Sequence, residues 1–420
     1  MKRFRLIVLL FTLGACAHPY PGAVSPNPWT RSEGAGPETG IASQTAQPTL
    51  LYVTDRAPAD GEGYGTDRSS SMAFGSLEID VTNMSAAAYS GYMSGTNRAS
   101  RAPRYELADI VETARFPGTP LPFSLENGAM RRDRSAVLAD QAARRAFSRG
   151  LSDELAARGT GKVVLFVHGF NNSFERGAFS LLELWAASGW EGLPILFSWP
   201  TGEPNVLSYF GDTQDGEFSV FHLKETLRLI AANEDVDEVV LIAHSRGASI
   251  ATTALRELLI ESRGAGLSML NTYRINTLIL AAPDIDLGVM EQRLVAEMFG
   301  IGFGQIDVYL NRSDDALGVS GWLFGGVRFG SLGPEQLSAE SRSVFQGVDS
   351  VHFILVEDAR GEARHNHFRL HPGVLADIAI TMRTGAEPAD PERPLTHLDL
   401  NFWRIDQGYT PQFTGDRAGE

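Results

Sequence analysis

The chain has 420 residues, of which 43% are hydrophobic and 21% charged, enough apolar mass for a buried sheet and incompatible with global disorder. With 51 acidic against 36 basic residues the formal net charge is -15, which excludes a nucleic-acid backbone or an anionic lipid surface as the principal partner. One large domain with appendages is the expected organisation.

In chain order, Lys2, Arg3 and Arg5 precede an apolar stretch, 6–13, and then Leu13-Gly14-Ala15-Cys16. This is the layout of an export signal at 1–15, with an apolar run too short for a stable membrane span. The segment resembles the lipobox of bacterial lipoproteins, which implies diacylation of Cys16 and membrane attachment through it. Several acyl chains anchor stably where one does not. Ala17 after the cysteine resembles outer-membrane sorting in Gram-negative cells. Cys16 is the only cysteine, so no disulfide and no cysteine nucleophile is expected in the mature chain. Residues 16–48 are rich in Pro, Gly, Ala, Ser and Thr and read as a flexible tether.

The main domain is expected over 49–385. Short strands are predicted at 50–54 and 74–81, with a loop at 59–71 between them. A helix follows at 133–157 on mixed three and four spacing of apolar residues. Strands at 163–167, 194–199, 239–243, 275–281, 306–310 and 351–356 then alternate with helices at 179–187, 218–232, 246–261 and 374–382. Unbroken apolar strands separated by helices predict an α/β fold: a mostly parallel central sheet with helices on both faces. Its chemistry belongs at the C-terminal strand ends. Segments 286–304 and 318–347 read as insertions, the first as an amphipathic helix beside the cleft. Residues 386–420 read as a C-terminal tail.

Four strand ends carry candidate chemistry. Val239-Val240-Leu241-Ile242-Ala243 runs into His244-Ser245-Arg246-Gly247-Ala248 at a helix start. A serine there can sit on a sharp, strained turn, which demands small residues two before and two after; Ala243 and Gly247 are such residues. The competing reading of Ser245 is an ordinary helix N-cap. Val163-Val164-Leu165-Phe166-Val167 ends in His168-Gly169-Phe170-Asn171-Asn172, where His168 reads as ordering the loop. The strand ending at Leu310 is followed by Asn311-Arg312-Ser313-Asp314-Asp315, and the one ending at Val356 by the loop containing His365-Asn366-His367. The order Ser, Asp, His suits a serine activated by a base that a carboxylate orients.

The assignment is therefore Ser245 as nucleophile, His365 as general base and acid, and Asp314 as the orienting carboxylate. Asp315, Asp284 and Asp286 are alternative acids, and His367 is the alternative base. His365 and His367 have no clustered carboxylate or cysteine beside them, so neither a metal nor another cofactor is expected.

Together with Phe197-Ser198-Trp199-Pro200 and Ala281-Ala282-Pro283-Asp284-Ile285-Asp286, these motifs make the domain resemble a bacterial family of α/β-hydrolases originally described as of unknown function. Arg246 departs from the methionine often found after the nucleophile in that family. The resemblance implies the α/β-hydrolase fold and an oxyanion hole built by the backbone N–H groups of Phe170 and Arg246. It also implies esterase- or lipase-like cleavage of a small acyl substrate or lipid. A peptidase, a thioesterase and a noncatalytic envelope scaffold are the alternatives.

Overall fold

The computed structural model describes residues 20–28, 30–31, 47–61, 63–97, 101–201, 208–314, 342 and 348–413. Cys16, Asp315 and, apart from Arg342, the segment 318–347 lie outside the described residues.

The strands are β1 (Thr30–Arg31), β2 (Thr49–Pro58), β3 (Tyr64–Val81), β4 (Tyr105–Arg115), β5 (Phe123–Glu126), β6 (Ala129–Arg132), β7 (Lys162–Val167), β8 (Leu193–Ser198), β9 (Glu238–His244), β10 (Ile275–Ala281), β11 (Gln305–Leu310), β12 (Val351–Val356), β13 (Thr396–Asp399), β14 (Phe402–Ile405) and β15 (Gln412–Phe413). Helices are α1 (Ala86–Met93), α2 (Arg134–Arg158), α3 (Phe174–Ala187), α4 (Ser208–Ala231), α5 (Arg246–Gly264), α6 (Met269–Tyr273), α7 (Leu287–Met290), α8 (His367–Leu370) and α9 (Pro372–Thr384).

An 11-stranded sheet runs in the order β13-β14-β12-β11-β10-β9-β7-β8-β2-β3-β4. From β14 to β2 the neighbours are parallel; only β3, β4 and β13 run against their partners. This is the α/β-hydrolase architecture that the sequence predicts.

Its layering follows from side-chain alternation. On β7, Val163, Leu165 and Val167 point to the layer of α2, α4, α5 and α6, while Val164 and Phe166 point to the layer of α1, α3 and α9. Both sheet faces are thus dry, which is why β7 to β12 read as continuous apolar runs. Helix α2 starts where the Asp133 carboxylate accepts from the Ala136 N–H and stops at Gly159, in the left-handed conformation that a residue without Cβ adopts cheaply. Its Phe147 is fully buried and meets Phe74 at 4.6 Å, a contact class that contributes about 1 kcal/mol beyond area burial.

Several segments differ from their sequence readings. Residues 64–71, read as loop, belong to β3: they are mostly solvent-facing, so polar side chains erase the apolar alternation. β4 is a mostly exposed edge strand and was hidden for the same reason. Segment 286–304 is not one helix. It breaks into α7, a π-turn at Glu291–Val295 and a 3-10 turn at Phe299–Gly302, with Met298 at φ 51° between the last two.

Residues 20–28, within the stretch read as tether, pack on the domain. Ala23 is fully buried, its N–H donates to Glu183, and Val24 N–H donates to the Arg369 carbonyl. The stretch read as a tail is also structural, since β13 and β14 extend the sheet and β15 pairs with β1. Arg393 is buried between Asp307 on β11, at 2.7 Å, and Asp377 on α9, at 2.8 Å. Among the described residues no helix is long and apolar enough to cross a membrane.

Candidate active site

Parallel pairing brings the C-terminal ends of β7, β9, β11 and β12 to one edge of the sheet. Ser245 follows β9 directly, with φ 52° and ψ -121°, and its N–H donates to the Ala281 carbonyl at 2.9 Å. Its side chain makes no cap hydrogen bond to α5, unlike Ser173 at the start of α3. A left-handed φ at a residue with a Cβ is strained, and the packing around the turn has to hold it.

That packing is close. A Cβ on Gly247 would stand 2.4 Å from the His168 carbonyl oxygen and 2.6 Å from that of Val167, so strand-end backbone touches the helix start here. Gly247→Ala is expected to cost about 1–3 kcal/mol, read as a lower urea midpoint, by pushing the Ser245 turn away from the His168-Gly169 loop. Gly169 is crowded as well, its would-be Cβ lying 2.7 Å from His244 Nδ1.

The Ser245 hydroxyl donates to His365 Nε2 at 2.9 Å, and His365 Nδ1–H donates to Asp314 Oδ2 at 2.7 Å. The Asp314 carboxylate is buried, while the His365 ring is partly open to solvent. Asn311 shapes the connection: its carbonyl accepts from Asp314 N–H, and its amide donates to the Arg364 carbonyl at 2.8 Å. The loops after β11 and β12 are thereby tied together beside His365.

The other candidates make different contacts. Asp284 lines the same cleft and its N–H donates to the Ser245 carbonyl, but the carboxylate bonded to His365 is that of Asp314. Asp286 caps α7, accepting from Val289 N–H at 3.0 Å. His367 is fully buried with neither ring nitrogen hydrogen-bonded, and burial pushes its pKa down to about 3. Among the described residues no group of three or more His, Cys, Asp or Glu side chains is placed to hold a metal ion.

His168 orders the loop after β7. Burial, then the Arg56 charge, lowers its pKa to about 3. Its ring is thus neutral at pH 7, with Nδ1–H donating to the Gly169 carbonyl at 2.9 Å. Trp199 stacks on the ring and donates to the His168 carbonyl at 2.7 Å. The N–H of Arg246 lies in the first turn of α5, where helix amides have no intrahelical carbonyl to bond. Phe170, Asn171 and Asn172 line the cleft beside Ser245.

His244, between Ala243 and Ser245, is likewise held neutral by burial and then by its histidine neighbour. These buried histidines make a stability prediction with a definite sign. Between pH 6.5 and about 3 the unfolded chain binds protons that His168 and His367 refuse when folded, so stability falls as pH drops through that window. The slope per such histidine is at most about 1.4 kcal/mol per pH unit. Urea midpoints at pH 7 and pH 5 are expected to show the loss, and His367→Phe to reduce it.

The cleft has a volume of about 430 Å³ and a largely polar wall that includes Tyr20, Arg176, Ser180, Glu362, Asn366 and Arg369. Two of its features had little sequence signal. Tyr20 and Pro21 come from the Pro-rich N-terminal stretch and reach the cleft because Arg369 bonds the Pro21 carbonyl and Tyr20 donates to Glu183 at 3.0 Å. The Glu183–Arg369 pair, at 2.7 Å and almost wholly buried, did leave a trace: Glu183 is the one charged residue in the apolar run 178–187. Segment 286–304 does not line this cleft. It encloses a separate apolar cavity of about 170 Å³ with Leu280, Ile306 and Phe353.

Sheet order, helix layering and the placing of the cleft at the C-terminal strand ends define a protein with the α/β-hydrolase superfamily fold. The chain belongs to the family described as alpha/beta hydrolase of unknown function (DUF900), whose model matches residues 143–383. No curated protein matches it. Solved structures similar to the chain include a CIB-like hydrolase from Thermoplasma acidophilum, 14% identical, covering 53% of this chain and 84% of that one with a TM-score of 0.30. A cell surface hydrolase from Lactobacillus plantarum is 16% identical over 49% of this chain and 88% of its own, with a TM-score of 0.30. An esterase from Pyrobaculum calidifontis is 14% identical over 53% and 75%, with a TM-score of 0.27.

Proposed function

We propose that the protein is a serine hydrolase that cleaves a carboxylic ester through an acyl-serine intermediate, with Ser245 as nucleophile, His365 as base and Asp314 as orienting acid. The observation that carries this reading is the unbroken hydrogen-bonded line from the Ser245 hydroxyl through both nitrogens of His365 to the buried Asp314 carboxylate. A neutral imidazole with Nδ1–H turned to Asp314 leaves a lone pair on Nε2 for the serine proton.

In the acylation step Ser245 Oγ bonds to the carbonyl carbon as its proton passes to His365 Nε2. The carbonyl oxygen becomes an oxyanion to which the N–H groups of Phe170 and Arg246 donate. Collapse breaks the bond to the alkoxide, which takes the proton from His365 and leaves as an alcohol. Water then loses a proton to His365, attacks the acyl-serine and releases the acid. No cofactor enters. The size and polar wall of the cleft favour a small acyl group or a polar alcohol over a long chain.

From residues 1–17, independently of the cleft, we propose an exported lipoprotein held by Cys16, with its domain in the cell envelope and, from Ala17, at the outer membrane. Residues 1–15 act as the signal. Radiolabelled palmitate is expected to mark the full chain and to be lost in Cys16→Ser.

The test of the activity is covalent labelling by a fluorophosphonate probe, together with turnover of ester, thioester and amide substrates. Labelling that disappears in Ser245→Ala, with ester turnover, supports the proposal. Faster turnover of thioester or amide moves it to a thioesterase or peptidase. No labelling and no turnover leaves a scaffold that keeps the fold without the reaction.

A further inference from the structure

A second cavity, of about 730 Å³, lies between the β5–β6 hairpin, α2 and α4, and none of Ser245, His365 and Asp314 lines it. Its volume is in the range of sites that enclose a small organic ligand. The hairpin over it is locally well specified. Asn127 and Gly128 turn with φ 53° and 77°, the left-handed pair a two-residue turn needs, and Asp133 at its exit caps α2.

Register decides which side chains face in. Phe123 stands opposite Arg132 and Leu125 opposite Met130, so strand alternation puts these four on one face. Ser124, Glu126, Ala129 and Arg131 share the other, where Arg131 pairs with Glu126 at 2.9 Å. Phe123, Met130 and Arg132 line the cavity, yet Phe123 is 54% and Met130 63% exposed, with Leu125 at 71%. Across from them on α4, Phe221 is 43% exposed beside Phe218. Two apolar walls therefore face each other without filling the space between them, a cost in water that a ligand removes.

The ionisable groups in the cavity differ in state. Arg144 is neutralised by Asp140 and Glu225. His222 is buried and its Nδ1–H donates to Asp55 at 3.0 Å. Arg132 makes no ion pair among the described residues, although the chain carries a net charge of -15. Apolar walls with one unneutralised guanidinium on their rim complement a molecule with an apolar chain and an anionic end.

We propose that this cavity binds a single-chain amphiphile with an anionic head: the chain lies between the hairpin and α4, against Phe123, Met130, Phe218 and Phe221, and the head pairs with Arg132. The site is separate from the cleft at Ser245 and does not depend on its chemistry.

Dodecanoate, titrated calorimetrically into the full chain below its micelle concentration, is expected to bind at one site. Arg132→Glu and Phe221→Asp are each expected to weaken it at least tenfold while leaving the urea midpoint and ester turnover as they were. Dodecyltrimethylammonium, with the same chain and the opposite charge, is expected to bind at least tenfold more weakly. Phosphatidylglycerol vesicles distinguish a free amphiphile from a lipid in a bilayer, and dodecanoate is expected to displace whatever vesicle binding exists. The proposal is overturned by absence of dodecanoate binding, by equal affinity in either variant, by equal affinity for the cationic probe, or by vesicle binding that dodecanoate does not displace.

Discussion

Ser245→Ala is expected to lower kcat for a short-chain aryl ester by about 10⁵-fold or more, with KM little changed, because the attacking oxygen is lost while the cleft is kept. His365→Ala is expected to match it, and the double variant to be no worse than either, since the two act as one unit. Asp314→Asn is the more discriminating change. It preserves shape but presents an amide to His365 Nδ1, which favours the wrong tautomer, and a loss of about 10⁴-fold is expected. Asp284→Asn is expected to lose much less, as the carboxylate on His365 belongs to Asp314. Steady-state kinetics of the four variants, with folding checked by urea titration, decide the assignment; equal losses in the two aspartate variants would refute it.

The second large effect lies away from the cleft. Arg393 is fully buried, pairs with Asp307 and Asp377, and donates to the Tyr309 hydroxyl at 3.3 Å. Tyr309 and Tyr409 both donate to Asp377, and His352 bonds Asp307 at 3.0 Å. Burial alone would raise the Asp307 pKa, but Arg393 and then His352 hold it below the usual carboxylate range. Arg393→Ala leaves two buried carboxylates without their cation and is expected to cost about 3–5 kcal/mol at pH 7, measured by urea unfolding.

The sign of its pH dependence is also fixed. In the parent chain the Asp307 contribution is present above about pH 4 and disappears as pH falls through the lowered folded value. In Arg393→Ala the carboxylate favours its protonated form when folded, so acid relieves the variant. The gap between parent and variant is therefore expected to be widest near pH 7 and to narrow toward pH 4. A gap that stays constant would mean that lost packing, not charge, carries the effect.

What was legible in the sequence follows from what each segment touches. β7, β9, β10, β11 and β12 are covered on both faces, so their residues had to be apolar and the strands stood out. Ser245, Asp314 and His365 stood out as candidates because each follows such a strand in the chain order Ser, Asp, His, and the His365 side chain lies within hydrogen-bonding distance of the other two. β4, β5 and β6 are mostly exposed and carry no burial pattern. The roles of Tyr20, Arg56 and Arg393 depend on partners far along the chain, at Glu183, His168 and Asp307, separated by 163, 112 and 86 residues, and local spacing holds no record of them. Asp284 and Asp286 illustrate the converse. Both sit after a buried strand, as a triad acid would, and only the paths of the loops after β11 and β12 direct Asp314 rather than either of them to His365.

The contacts made by residues 393–413 set the order in which the molecule can be completed. β14 supplies a parallel neighbour for β12, β15 pairs with β1, and Arg393 neutralises carboxylates placed on β11 and α9, 86 and 16 residues before it in the chain. Until residues 393–413 have been made, Asp307 and Asp377 cannot both be buried as anions, and the sheet lacks an edge. Of these contacts, the pairing of β1 with β15 joins positions 30 and 412, a closure that is slow because the loop entropy is lost before the contact rewards it. A truncation that removes residues 393–413 therefore acts on the buried carboxylates of Asp307 and Asp377, inside the fold.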